Sequence, residues 1–412
     1  MNVRRSHRLT LLLATFLVMA AAVACVEPIV DEGGSRELTV RVVVPTADLV
    51  TKADVPAVGA EDKMYDIRIW AFDHAETGDD AAAVGYGSAT IASGATSQNV
   101  TVSFPNSVNN KLDNEPSVSV DLYAVANGAS VGFTQTGMEN VTRKVLQDFV
   151  FEDGNGAGFG TACVSQVPNT ADYKGLPMSI IQNDVDITFL KKGTMETHNP
   201  VEVKLKRAVA KIRFVFAKAA NMTDAAGNLI STEINRIQLL NELTHTLSPS
   251  AYLFPQGKVP EGSPLALTWP ANYTQTSLVP ATSFADALVD TPLRLRKDYQ
   301  NNKEIAAYEA FLTDEIAEKH AIERVLYLRE CDPDKDQVTA RVWYKIGTST
   351  ETYVDIEIPS GALLNRNTWW TVYAYFMSFE MGFEVTVKST WDVDNKGAIS
   401  VGGAWEAVYN KD

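Results

Sequence analysis

Leu38-Thr39-Val40-Arg41-Val42-Val43-Val44 is β-branched and partly alternating, and Pro45 stops it. Such a run predicts a first β-strand, because branched side chains fit a pleated, half-buried surface and proline cannot continue a ladder. Working outward, the same chemistry recurs at Ile67–Phe72, Val100–Phe104, Val118–Ala126 and Val185–Phe189, separated by glycine- and asparagine-rich turns. After Gly193 the pattern breaks and resumes at Val201–Leu205, Lys211–Phe216, Asn235–Leu240, Arg324–Leu328, Val338–Ile346, Tyr353–Ile358, Trp369–Met377 and Phe383–Trp391. Short strands between turn signals predict a mainly β protein built as antiparallel sandwiches. One helix is expected, Glu304–Ile322, with Ile305, Tyr308, Phe311, Leu312 and Ile316 at helical spacing.

The chain has 412 residues, more than one hydrophobic core usually serves. Two domains are expected, 37–198 and 199–412, behind a leader. That leader has two parts. Residues 1–24 carry Arg4, Arg5 and Arg8, then an apolar run from Leu9 to Val23, which reads as an export signal too short to span a membrane comfortably. It ends at Ala22-Val23-Ala24-Cys25, where small residues before a cysteine point to lipidation of Cys25, with simple secretion as the alternative. Residues 25–36, in which Val26–Ser35 is acidic and runs out in Gly-Gly-Ser, suit a flexible tether.

The formal charge is −15, and it becomes −18 once the signal takes its three arginines away. A surface of that sign repels nucleic acid, which is excluded as a partner. Besides Cys25 there are only Cys163 and Cys331, read as small buried apolar residues in different domains. Gly154–Gly160 has no Lys-Ser or Lys-Thr behind it, and Asp332, Asp334 and Asp336 lack the glycine and glutamate of a calcium loop. His74, His198, His245 and His320 are scattered singly, with no nucleophile beside a base. Neither an enzyme nor a cofactor or metal site is expected.

Trp369-Trp370-Thr371-Val372-Tyr373-Ala374-Tyr375-Phe376 is the most aromatic stretch. Alternation would put Trp370, Val372, Ala374 and Phe376 on one face and Trp369, Thr371, Tyr373 and Tyr375 on the other, a core strand with one amphipathic face. Its rival is a surface that binds glycans, with Trp369 and Tyr373 as stacking platforms.

Several segments together resemble the fimbrillin family of Bacteroidetes type V fimbrial subunits and accessory lipoproteins. They are the leader with its first strand, Asp121-Leu122-Tyr123-Ala124-Val125-Ala126-Asn127-Gly128, Leu205-Lys206-Arg207-Ala208-Val209-Ala210-Lys211-Ile212, Val325-Leu326-Tyr327-Leu328-Arg329-Glu330, Asn365-Arg366-Asn367-Thr368-Trp369-Trp370, and Val385-Thr386-Val387 with Trp391. The resemblance implies two tandem transthyretin-like antiparallel β-sandwich domains, export to the cell surface as an outer-membrane lipoprotein or fimbrium, and a structural or accessory role in adhesion. It further implies assembly with other fimbrial subunits by donor-strand addition, in stalk members after a trypsin-like maturation protease removes the first strand. No arginine lies between Arg41 and Arg68, so Lys52 is the expected cleavage site, with Arg36 and Arg41 as the flanking basic alternatives. The donor is expected in the tail, through Ile399, Val401, Trp405 and Val408, or in the alternating run Glu384–Ser389.

Overall fold

The computed structural model describes residues 36–45, 60–105, 118–152, 175–187, 201–218, 225–227, 232–241, 250–256, 282–283, 321–328, 330, 338–357, 366–376, 381–388 and 398–402. The protein is mainly β. In the first half the strands are β1 (Arg36–Val43), β2 (Met64–Asp73), β3 (Gly85–Ala95), β4 (Ser97–Phe104), β5 (Val118–Ala126), β6 (Val150–Glu152) and β7 (Met178–Ile187). They are followed by β8 (Val201–Lys204), β9 (Lys206–Arg207), β10 (Ala210–Lys218), β11 (Thr232–Asn241), β12 (Ser250–Tyr252) and β13 (Thr282–Ser283). The remainder are β14 (Ala321–Leu328), β15 (Val338–Ile346), β16 (Thr352–Glu357), β17 (Trp369–Phe376), β18 (Met381–Lys388) and β19 (Ala398–Gly402).

Eight strands form one sheet in the order β8-β1-β4-β3-β2-β5-β7-β9. Its two outermost strands come from a single stretch, 201–207, with only Leu205 between them, so the chain itself ties the two ends of the sheet together. Val40, Val42, Val44, Ile67, Ile69, Val100, Val102, Phe104, Leu122, Ala124, Val203 and Leu205 pack as its core. The alternate residues of β2 and β5, Trp70, Phe72, Tyr123 and Val125, belong to a second core with Phe133, Leu146, Phe151 and Phe254. Both faces of these central strands are therefore covered, which explains why β2 and β5 read as nearly unbroken apolar runs.

A five-stranded sheet, β14-β10-β17-β18-β19, and a four-stranded one, β13-β11-β15-β16, are built mainly from the second half. Within the first, β10 pairs in parallel with β17 and antiparallel with β14. A two-stranded ladder, β12 with β6, ties residues 250–252 to 150–152.

The helix expected at Glu304–Ile322 lies outside the described residues except for its end. There Ala321 and Ile322 open β14, opposite Ala217 and Phe216 of β10. Pairing with a neighbouring strand has overridden the helical spacing at that end. Among the described residues the α-helix is α1 (Arg143–Gln147), capped by Thr142, whose side chain accepts a hydrogen bond from the Val145 amide. Five residues are too few to declare a helical period.

Strand β3 occupies a stretch whose glycines suggest a turn between β2 and β4 in the sequence. Its glycines are packing requirements: a Cβ at Gly87 would lie 2.2 Å from the Thr101 carbonyl oxygen on β4, and one at Gly85 2.8 Å from the Phe104 ring. Glycine here marks close approach of two backbones.

Candidate functional site

Strand β1 is held on both sides. Its antiparallel ladder with β4 runs from Arg36 opposite Phe104 to Val43 opposite Ser97. Its parallel ladder with β8 joins Val40–Val43 to Val201–Lys204, and the Leu205 amide donates to the Val43 carbonyl at 2.9 Å. Among the described strands, β8 pairs with β1 alone. Val40, Val42 and Val44 are buried, and burying each contributes about 1.5–3 kcal/mol. Between them Arg41 faces solvent, 3.4 Å from the Ser97 hydroxyl and 4.0 Å from the Glu202 carboxylate. A position occupied by β1 is thus an apolar slot with backbone donors and acceptors along both walls.

The chain re-enters the described structure at a short 3-10 turn, Ala60–Asp62, which is firmly tied. Asp62 pairs with the Arg207 guanidinium, and Glu61 takes Lys211 Nζ at 2.9 and 3.0 Å. Arg207 is 1% exposed and also donates, from its backbone amide and its guanidinium, to Asn367 Oδ1, each at 3.2 Å. Asn367 adopts φ 63°, and its amide donates to the Val209 carbonyl at 2.8 Å. Beside it Arg366 pairs with Glu330 and donates to the carbonyls of Leu253 and Tyr252 at 3.1 and 3.0 Å. Motifs 36 to 160 residues apart in sequence, those around Arg207, Glu330 and Asn367, therefore meet in one largely buried junction.

Asp121 and Asn127 are also structural hubs. Asn127, at φ 58°, accepts from the Tyr65 amide at 2.7 Å and donates to the Lys63 and Leu176 carbonyls at 2.9 and 2.8 Å. Asp121 is buried at a bulge in β5 and receives the Asp184 amide at 2.9 Å, His74 Nδ1 at 2.7 Å and Arg143 at 2.6 Å. Burial pushes the Asp121 carboxyl upward, but the hydrogen bonds from Asp184, His74 and Arg143 outweigh it and hold the carboxyl below its ordinary range. The Asp121 hydrogen bond raises the His74 imidazole, against a smaller desolvation effect. Nothing in the sequence announces this cluster, because its members come from two strands, the turn after β2 and a helix.

The aromatic stretch falls on β17, and Trp370, Thr371, Val372, Tyr373 and Ala374 are all buried. Tyr373 is 7% exposed, and Lys211 Nζ sits 4.1 Å over the Trp369 ring. The amphipathic face expected of this strand is covered, because neighbouring elements pack on both sides of it. A stacking role would need an open ring face that Tyr373 lacks.

Arg41 lies within the doubly paired β1, and Arg36 is its first residue. Ile399 and Val401 fall on β19, opposite Val387 and Val385 of β18. Cys25, Lys52, Trp405 and Val408 lie outside the described residues, as do Cys163, Cys331, His198, His245, His320, the Gly154–Gly160 loop and the Asp332–Asp336 turn.

No family model matches the chain, and no curated protein does. The solved structures it resembles include proteins of bacterial fimbriae. One is the tip fimbrial protein Mfa3 of Porphyromonas gingivalis, C-terminally truncated, at 15% identity and a TM-score of 0.45, covering 85% of this chain and 99% of that one. A fimbrial assembly protein of Parabacteroides distasonis matches at 12% identity and a TM-score of 0.41, over 89% and 99% of the two chains. The fimbrial anchor protein Mfa2 of Porphyromonas gingivalis matches at 9% and 0.36, over 86% and 98%.

Proposed function

We propose that the protein is a subunit or accessory protein of a cell-surface fimbria, exported as a lipoprotein through Cys25 and joined to other subunits by strand addition. The observation that carries this reading is β1, a strand with three buried valines and ladders on both sides, followed by residues 46–59 with Lys52 among them. A cut there by a trypsin-like protease leaves β1 attached to the rest of the fold by non-covalent contacts alone. The downstream end stays fixed by the Asp62–Arg207 and Glu61–Lys211 pairs. Loss of β1 exposes unpaired backbone groups on β4 and β8 and an apolar slot, both of which an incoming strand satisfies.

The donor we assign is the tail, beginning with β19. Among the described strands β19 pairs only with β18, whereas β18 is held by β17 and β19 together. Releasing an outer strand breaks one ladder and releasing β18 breaks two. Ile399 and Val401 also repeat the spacing of Val40 and Val42.

The test is intact mass of the protein from its native envelope, with limited trypsin digestion and polymer ladders on gels. A form starting after Lys52 that ladders, with laddering lost on deletion of residues 398–412 and the monomer still folded, supports a stalk subunit. A diacylated Cys25 form that keeps β1 supports an anchor or accessory role. Absence of both the lipid and any polymer overturns the reading.

A further inference from the structure

The strand beside β1 repeats it. Val201, Val203 and Leu205 stand at the same spacing as Val40, Val42 and Val44, and both sets pack into one core. The two segments run in the same direction, with Val40 opposite Val201 and Val42 opposite Val203. Their backbones are also in phase. The Val44 amide donates to the Thr96 carbonyl, at the head of β4, at 2.8 Å, and the Leu205 amide donates to the Val43 carbonyl at 2.9 Å. By alternation Val40 and Val42 turn their backbone groups toward β4, and Val201 and Val203 turn theirs the same way, toward β1. A sideways shift of one strand spacing, about 4.8 Å, would therefore lay β8 on β4 without rotating it. The new ladder would be antiparallel, as the one between β1 and β4 is.

From this match we infer that β8 is a place-holder: once β1 is lost, Val201 and Val203 move into the Val40 and Val42 positions and close part of the slot until a donor strand displaces them. The inference rests on the fimbrial reading above for the loss of β1. Among the described strands β8 pairs with β1 alone, so that loss leaves it without a ladder and the shift restores one. An antiparallel ladder is at least as stable per residue as the parallel one it replaces. The two pockets pass between identical side chains. Arg207 stays pinned by Asp62 and Asn367, which makes Leu205 and Lys206 the hinge. The cover is incomplete. Strand β8 has four residues against the eight of β1, so Thr101–Phe104, opposite Arg36–Thr39, stay unpaired. A donor lands there first and drives β8 back to its own place. A cut subunit thus shortens its own open edge while it waits for a partner.

The test is a disulfide trap in the full chain, Asn99→Cys together with Glu202→Cys. Both residues are exposed, and they lie opposite Arg41 on its two sides. With β1 in place they stand two strand spacings apart, roughly 9.6 Å, beyond the limit of about 7 Å for a disulfide. After the shift they are direct neighbours. A recognition site for a sequence-specific protease, inserted within residues 46–59, makes the removal of β1 independent of natural processing. After cutting, washing in mild denaturant and mild oxidation, peptide mass spectrometry should find the 99–202 disulfide about tenfold more abundant than in the uncut chain. A synthetic peptide of residues 36–44, added before oxidation, should return it to the uncut level. The inference is overturned if the folded, β1-free protein forms no such disulfide, if the uncut chain forms it equally, if β1 stays bound to the cut protein, or if its removal unfolds the chain. Natural cleavage and polymer ladders are read on the unaltered chain. A trapped disulfide without natural laddering overturns the fimbrial reading alone, and laddering without the disulfide overturns this inference alone.

Discussion

The guanidinium of Arg207 lies 3.2 Å from the side-chain carbonyl of Asn367, both groups are buried, and 160 residues of chain separate them. The contact joins β9, the last strand of the eight-stranded sheet, to the turn that opens β17 of the five-stranded sheet. Removing the Arg207 side chain takes the guanidinium away from Asp62 and leaves Asn367 Oδ1 with the Arg207 backbone amide but without the guanidinium donor. Arg207→Met should therefore lower stability by about 3 kcal/mol, the scale for breaking a buried ion pair from one side. Denaturant unfolding measures this, and a loss within 0.5 kcal/mol, an order-of-magnitude threshold for a surface site, would contradict it.

Gly87→Ala should be among the most damaging single-methyl changes, at more than about 2 kcal/mol, because the new carbon would meet the Thr101 carbonyl at 2.2 Å. Gly78→Ala is the control. Nothing lies within 4 Å of a Cβ at Gly78, so its effect should stay within about 0.5 kcal/mol. Thermal unfolding of the two variants side by side decides the matter.

Val42→Ala should cost about 2 kcal/mol, since it removes two buried methyl groups from the middle of β1. It should also speed the loss of the β1 fragment after limited trypsin digestion, because after a cut in residues 46–59 only ladders and side-chain packing retain that strand. Mass spectrometry of the washed protein reads this directly. Equal retention of the fragment in Val42→Ala and the natural protein would mean that the valine side chains do not hold it.

The His74–Asp121 pair makes stability depend on pH at both ends of a window. A raised histidine pKa contributes stability that is complete below the unfolded value of about 6.5 and is lost as pH rises through the folded value. A lowered aspartate pKa contributes stability present above about 3.9 and lost as pH falls through its folded value. His74→Gln should flatten the decline above neutrality and leave the acid limb. Urea midpoints measured from pH 3 to pH 9 test both limbs, and an unaltered alkaline limb in His74→Gln would sink the assignment.

Much of the strand layout was legible because it rests on local chemistry. Val118–Ala126 and Val338–Ile346 were read with the boundaries they have, and β1 was found through Val40, Val42 and Val44. What escaped depends on distant partners. Gly85 and Gly87 look like turn residues until β4 is placed against them, and Ala321–Ile322 looks helical until β10 lies alongside. Arg207, Glu330, Arg366 and Asn367 were singled out as parts of motifs, but their meeting could not be read from their spacing. The Arg341–Tyr353 stack is a cross-strand diagonal that appears only once the register of β15 and β16 is known.

One passage, 201–207, provides both outermost strands of the eight-stranded sheet, so the strand beside β1 and the strand beside β7 are tied together through Leu205. On the proposed reading, a newcomer enters at the position β1 vacates. On that reading, readiness to assemble is governed by a covalent event upstream of residue 60 and not by how crowded the molecules are. Each subunit opened by loss of β1 then presents that one vacancy between β4 and β8, which favours end-to-end chains over branching networks.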